Sequence, residues 1–194
     1  MKIGVVADTH GYFDPQLRQL LTGVDAILHA GDVGSVAVLD ELRAIARVHA
    51  VRGNVDGTEL DLPPALKLDF AELRVEMTHI LPVPQSELEA WGEAAMPLGH
   101  APARSARLIE SFDESTGVIV FGHSHRPCLV DLGDHVFFNP GSAGTKRFSL
   151  PRSYGLLEST PDGIEATIRL LDTNPTYVLK RLRLPVELAE RGSC

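Results

Sequence analysis

The stretch Gly117-Val118-Ile119-Val120-Phe121-Gly122-His123-Ser124-His125 decides how the rest of the chain is read. Its first five residues are short, β-branched and aromatic, which predicts a buried strand rather than a helix. At its end the chain turns on a glycine and presents two imidazoles two residues apart. With that spacing both rings can aim at one point from one tight backbone segment. Histidine is the commonest nitrogen ligand for transition metals, so the pair suggests a metal. A polar turn with two surface histidines is the plainer explanation. What decides between them is whether other strands end in the same way.

They do. Lys2 to Ala7 reads as a continuous apolar strand of the parallel-sheet kind and runs into Asp8-Thr9-His10-Gly11. Asp25 to Ala30 is a second strand, ending in Gly31-Asp32, and Val48 to Val51 a third, ending in Arg52-Gly53-Asn54-Val55-Asp56. Leu73 to Met77 alternates polar with apolar residues and makes a fourth, followed by Thr78-His79. Between them, Asp14-Pro15 opens a helix with Leu17, Leu20 and Leu21 on its buried stripe, closed by Gly23. Ser35 caps another, with Val38, Leu39, Leu42 and Ile45 at helical spacing.

Residues 80–121 leave room for two helices, roughly 86–96 and 103–112, joined near Pro97-Leu98-Gly99-His100. A hairpin from Leu129–Leu132 to His135–Phe138, turning at Gly133-Asp134, then delivers Asn139-Pro140-Gly141-Ser142. Tyr154–Glu158 and Ile164–Leu170 are further strands around Pro161-Asp162-Gly163. Thr176–Leu184 reads equally well as strand or helix. No repeat, linker or low-complexity tract interrupts residues 1–194, which predicts one domain.

Eighteen basic against 26 acidic residues leave a formal charge of −8, which argues against bulk binding to nucleic acid or an anionic membrane. It leaves room for one nucleotide-type substrate, because bound cations dominate a local field. Two cysteines, Cys128 and Cys194, make no disulfide framework and fit a reducing compartment. No leader pattern opens the sequence and no apolar run reaches about 18 residues, so a soluble cytoplasmic protein is expected.

Five strand ends thus carry Asp8 and His10, Asp32, Asn54, His79, and His123 with His125. In α/β sheets the loops at the carboxyl ends of strands line the ligand crevice. Each group alone is an ordinary cap, turn or core histidine; all five ending so by coincidence is improbable. Seven donors are too many for one tetrahedral ion and suit two ions sharing a carboxylate. Imidazole, carboxylate and amide oxygen together suit Mn²⁺, Fe, Zn²⁺ or Ni²⁺ better than Ca²⁺.

These motifs, Asp-x-His at 8–10, Gly-Asp at 31–32, Gly-Asn at 53–54, His79 and Gly-His-Ser-His at 122–125, resemble the calcineurin-like metallophosphoesterase superfamily. Leu28-His29-Ala30-Gly31-Asp32, Val51-Arg52-Gly53-Asn54 and Asn139-Pro140-Gly141-Ser142 resemble its compact bacterial and archaeal phosphodiesterase branch. The resemblance implies a four-layer α/β/β/α sandwich of two mixed sheets flanked by helices. It implies two divalent metals, Mn²⁺ foremost, with Asp8, His10, Asp32 and His125 on one. Asp32 would bridge to a second held by Asn54, His79 and His123. A phosphoesterase, above all a phosphodiesterase acting through a metal-bridging hydroxide, follows from that set, with Asp8, Asp32 and Asn54 in the catalytic centre.

Asn54 and Arg147 are then expected to contact a small phosphodiester or nucleotide-type substrate, with Arg152 a further candidate. A homo-oligomer is left open. Two positions depart from the family: Val55, where larger members carry a histidine that helps the leaving group, and Ile80, where glycine is usual. The segment after His79, with Trp91, Met96 and His100, is a candidate substrate wall. The alternative function is a protein-interaction scaffold, as in the retromer subunit of the same branch, which has no need for all seven ligands.

Overall fold

Side-chain alternation assigns every strand its two faces. The computed structural model describes residues 1–70, 73–93, 103–133, 135–147, 149–173 and 177–184. The strands are β1 (Lys2–Val6), β2 (Ala26–His29), β3 (Arg47–Ala50), β4 (Ala65–Phe70), β5 (Leu73–Thr78), β6 (Val118–Val120), β7 (Cys128–Asp131), β8 (Val136–Asn139), β9 (Ser153–Thr160), β10 (Gly163–Leu170) and β11 (Val178–Leu184). The helices are α1 (Gln16–Leu20), α2 (Val36–Arg43), α3 (Gln85–Glu93) and α4 (Ala103–Ile109), with a 3-10 turn at Thr58–Leu60. One sheet runs β11-β10-β9-β1-β2-β3, the other β4-β5-β6-β8-β7. Both are mixed: β1, β2 and β3 are parallel, as are β5, β6 and β8, with antiparallel strands outside them.

In β1, Ile3 and Val5 point between the sheets, where they meet Leu28, Val75, Met77, Val118, Val120 and Phe138. Val6, one residue out of phase, faces the other way with Ile27, against Leu17 and Leu21 of the α1 region and Leu39 and Leu42 of α2. On the second sheet Ile119 and Phe137 face outward against Leu88 and Trp91 of α3 and Leu108 of α4. Three apolar seams between four layers are the expected α/β/β/α sandwich. The Ser35 hydroxyl accepts the Val38 N–H and caps α2 as read from the sequence.

The differences have local causes. Strand β4 alternates half-buried and exposed residues at a sheet edge, and its short pattern Ala-Leu-Lys-Leu-Asp-Phe went unread. The 176–184 ambiguity resolves as β11, which pairs antiparallel with β10 and completes that sheet. Trp91 is buried in the outer seam, so it is core and not a substrate wall. Met96, the Pro97–His100 junction, Asp134 and Cys194 lie outside the described residues. No helix among the described residues is long and apolar enough to cross a membrane.

Cys128 opens β7 and is fully buried, with burial pushing its thiol up to about 12. Only the thiolate reacts with alkylating agents, so the group is expected to be inert in the native chain. At pH 8, iodoacetamide should leave the Cys128 peptide unmodified until denaturant is added, as read by mass spectrometry. Rapid native labelling would contradict its place in the core.

Candidate metal centre

All seven sequence-predicted donors lie just past the carboxyl ends of β1, β2, β3, β5 and β6. Three of these strands belong to one sheet and two to the other, so the cluster sits at one end of the seam between sheets. Asp8, Asp32, His79 and His125 are buried, whereas Asn54 and His123 are exposed. The cluster therefore has a closed floor and one open side.

Two groups of lone pairs face inward. His10 Nε2 lies 3.0 Å from His125 Nε2 and 3.8 Å from Asp32 Oδ2, and His125 Nε2 lies 3.4 Å from Asp8 Oδ1. In the second group His79 Nε2 is 3.3 Å from Asp32 Oδ1 and 3.1 Å from Asn54 Oδ1. Asn54 Oδ1 is also 2.9 Å from His123 Nδ1. The carbonyl of Ala30 accepts a 2.7 Å bond from His79 Nδ1, which places one ring proton there and turns Nε2 to Asp32, where it either donates a second proton or ligates a cation in its place. Imidazole nitrogens and carboxylate oxygens this close repel unless a proton or a cation stands between them. This donor set, mixed nitrogen and oxygen with His79 oriented by Ala30, fits divalent transition metals. Three-donor sets within 4.8 Å arise as Asp8, His10 and His125, and as Asp8, Asp32 and His79. Asp8 as well as Asp32 thus lies between the two groups, where the sequence reading gave that place to Asp32 alone.

The electrostatics carry the same tension. Burial pushes the Asp8 carboxyl up to about 7, against the pull of His79. Asp32 is also opposed by burial, yet hydrogen bonds from His79 and the Val55 N–H draw it down to about 2. Burial lowers His10 and brings His125 to about 4, with Arg147 adding to both effects. Neutral rings beside carboxylates are the state in which these groups can hold a cation.

Backbone geometry explains why the residue types are so restricted. Among the described residues six non-glycines have positive φ, and five of them are Asp8, His10, Asp32, His123 and His125. Aspartate and histidine tolerate this region better than most, but each still costs on the order of 1–3 kcal/mol. The loops hold each other there. The N–H groups of Asp8, His10 and Gly11 bond to the carbonyls of Gly31, Asp32 and Val33 at 3.0, 2.9 and 2.8 Å. Gly31, at φ +91°, would place a Cβ 2.6 Å from His79 Nδ1, and a Cβ on Gly53 would collide with Asp32.

Further groups position the donors, and of these Asp56 carries no signal in the sequence, whereas His29 and Asn139 lie in motifs already named. The Asp56 carboxylate accepts the N–H groups of Gly53 (2.8 Å), Gly34 (2.8 Å) and Val33 (3.1 Å), lashing the Asp32 loop to the Asn54 loop. Asn139, buried at the end of β8, donates to the Gly122 carbonyl at 2.9 Å and to Ser124 at 3.1 Å, so the Asn-Pro-Gly-Ser motif braces the two-histidine loop. The Thr9 hydroxyl donates to the Val33 carbonyl at 3.0 Å and so accepts from His29 Nε2 at 2.8 Å, which fixes that neutral ring beneath the Asp8–His10 loop. Arg147 is exposed and near enough to influence Asp8, His10 and His125. Arg152 is instead held by Asp14 at 2.6 Å and Asp172 at 2.7 Å, so its guanidinium is structural and not a phosphate contact.

A two-sheet sandwich with this donor set at its seam belongs to the class of metal-dependent phosphoesterases. Residues 1–162 match the family model of the calcineurin-like phosphoesterase superfamily domain, and the chain belongs to that superfamily. It is 31% identical over 173 residues to a probable metallophosphoesterase of Methanocaldococcus jannaschii, covering 87% of this chain and 80% of that protein. It is 26% identical to phosphodiesterase YfcE of Escherichia coli, over 82% of this chain and 88% of the relative. The solved Vps29 of Chaetomium thermophilum shares the fold, with a TM-score of 0.69 at 21% identity, covering 95% and 98% of the two chains.

Removing the Asp56 carboxylate leaves three loop N–H groups without their acceptor, and bonds to a charged group contribute about 1.5–3 kcal/mol each. With partial replacement by water, Asp56→Ala should lose about 2–4 kcal/mol of stability in chelator and bind less metal. Urea unfolding and elemental analysis measure both. Unchanged unfolding and metal content would remove Asp56 from its positioning role.

Proposed function

We propose that the chain is a binuclear-metal phosphodiesterase acting on small phosphodiesters, with Mn²⁺ the foremost metal and Fe, Zn²⁺ or Ni²⁺ its alternatives. The observation that supports two sites best is the division of the Asp32 carboxylate, Oδ1 toward His79 and Oδ2 toward His10. In this reading Asp8, His10, Asp32 and His125 hold one ion, and Asn54, His79, His123 and the shared Asp32 hold the other. Held by these residues, two divalent cations would supply a lowered pKa for a bound water molecule and positive charge to offset that building on the phosphoryl group.

The chain's own residues do the rest. The buried carboxylates and imidazoles keep water out of the floor of the site and fix its charges before substrate arrives. Asn54 and His123 stand on the open side, where a phosphate approaches. Arg147 adds a positive charge beside the His10 and His125 rings and is placed to attract an anionic ester. Val55 follows Asn54 and is 54% exposed; it has no proton to give a departing alkoxide. Residues 1–194 act as one domain in this reading. The scaffold alternative rests on likeness to Vps29 at 21% identity, which concerns the fold alone.

Hydrolysis should require added divalent transition metal and vanish in chelator. With no general acid at position 55, rates should fall steeply as the leaving-group pKa rises. Val55→His should help poor leaving groups selectively; equal gains for every ester would deny the position that role.

Asp32→Asn keeps the shape but loses the charge that offsets repulsion between two cations. Both occupancies should fall, and turnover by about 10³-fold or more, since positioned charges contribute several kcal/mol. His10→Ala and His123→Ala should each empty mainly one site. An Asp32→Asn protein with two metals and normal turnover would overturn the shared-ligand assignment.

A further inference from the structure

Among the described residues five large apolar side chains are exposed: Tyr12, Val36, Val55, Ile80 and Tyr177. The first four follow His10, Asp32, Asn54 and His79 by one to four residues. Exposed apolar residues scattered singly need no explanation, but four attached to the loops of one polar centre are not scattered. Ile80, 48% exposed, borders two clefts that open beside that centre. One is polar, about 450 Å³, and includes Arg52, Asn54, Asp56 and His79. The other is about 310 Å³ and apolar, walled by Ile80, Leu81, Pro82, Val83 and Phe121, with His123 in its lining.

We propose that the apolar cleft of residues 80–85 binds the substituent of the phosphodiester that is retained through hydrolysis, and that the enzyme selects substrates carrying one compact apolar group there. The inference rests on the phosphodiesterase reading and adds a substrate class to it. The argument is one of continuity and size. His123 belongs both to the donor cluster and to the cleft, so a phosphate at the open side of the centre directs one ester arm into it. The volume is near the lower end of ligand sites, about 300–1,000 Å³, which admits a single ring and not a long chain. The walls are aliphatic, proline and phenylalanine, with polar groups only at Gln85, Ser124 and the histidine. Gln85 and Ser124 are bonded to each other and to Asn139, which leaves little polar recognition for a sugar or a base. Ile80, which lines both clefts, makes the rim between them apolar.

Two esters with the same leaving group isolate the effect: p-nitrophenyl benzyl phosphate and p-nitrophenyl methyl phosphate, assayed with Mn²⁺-loaded full-length protein. Their retained arms attach through one carbon each, so the chemistry at phosphorus is matched. The expected kcat/KM ratio is at least tenfold in favour of benzyl, which corresponds to about 1.4 kcal/mol. In Ile80→Ser and Val83→Ser the ratio should fall below about threefold, while Tyr177→Ser, at an exposed site in neither cleft, should keep it.

Calorimetry with benzylphosphonate and methylphosphonate gives the same comparison without turnover, with tighter benzyl binding expected in the wild type and lost in Ile80→Ser. Turnover of both esters at a ratio near one overturns the cleft assignment and leaves the phosphodiesterase reading standing. A high ratio that neither variant lowers also overturns it. Absence of turnover with selective benzylphosphonate binding sinks the phosphodiesterase reading and upholds the cleft. Absence of both sinks the two together.

Discussion

A carboxylate with no access to water needs positive charge beside it, and Asp8 is such a group. It is fully buried where the two sheets meet, and burial drives it toward its neutral form. Its surroundings supply part of the compensation. The N–H of His123 lies 3.1 Å from Oδ2, and His79 acts on it electrostatically. The Ser142 hydroxyl bonds to the Asp8 carbonyl at 2.9 Å, so the residue is held from β1 and from the loop after β8 at once. What the protein atoms leave uncompensated is the affinity of the site for cations.

That constraint explains where stability is given up. Five left-handed non-glycine residues in the donor loops are unfavourable locally. They persist because three backbone bonds join the Asp8 and Asp32 loops, Asp56 joins the Asp32 and Asn54 loops, and Asn139 braces the loop of His123 and His125. The parallel strands beneath end together, so each loop has a rigid base on one side and a neighbouring loop on the other. A sandwich with its apolar seam running up to Ala7 and Ala30 can support this strain without deforming.

The donors could be read in the sequence because their chemistry is rare at strand ends and recurs five times. The inner strands were equally plain, since burial on both faces leaves continuous apolar runs such as Ile3 to Ala7. Edge strand β4 was not, because one exposed face dilutes its pattern to alternating Lys67 and Asp69. Asp56 gave no signal: an aspartate two residues past Asn54 looks like any turn residue until three N–H groups from two loops are brought to it. Trp91 misled in the opposite direction. An aromatic in a segment after a ligand suggests a wall, but helical spacing with Leu88 turns it inward to the seam.

Asn54 and His79 differ from their neighbours in one more respect. Asn54 and His79 face the centre, while the residue after each, Val55 and Ile80, is exposed at the rim; the neighbours of Asp8 and Asp32 are buried. A backbone that fixes one residue inward fixes the direction of the next, so the loops that carry Asn54 and His79 also set where Val55 and Ile80 stand. The donors are held by strained backbone and by hydrogen bonds between their loops, and admit little change. Their outward neighbours make few such bonds. Val55 offers only its backbone N–H to Asp32, a contact independent of its side chain. On the proposed reading, metal binding and substrate choice fall to adjacent residues of the same loops under different physical restraints, and side-chain changes at the rim would alter what is bound without disturbing what binds the metal.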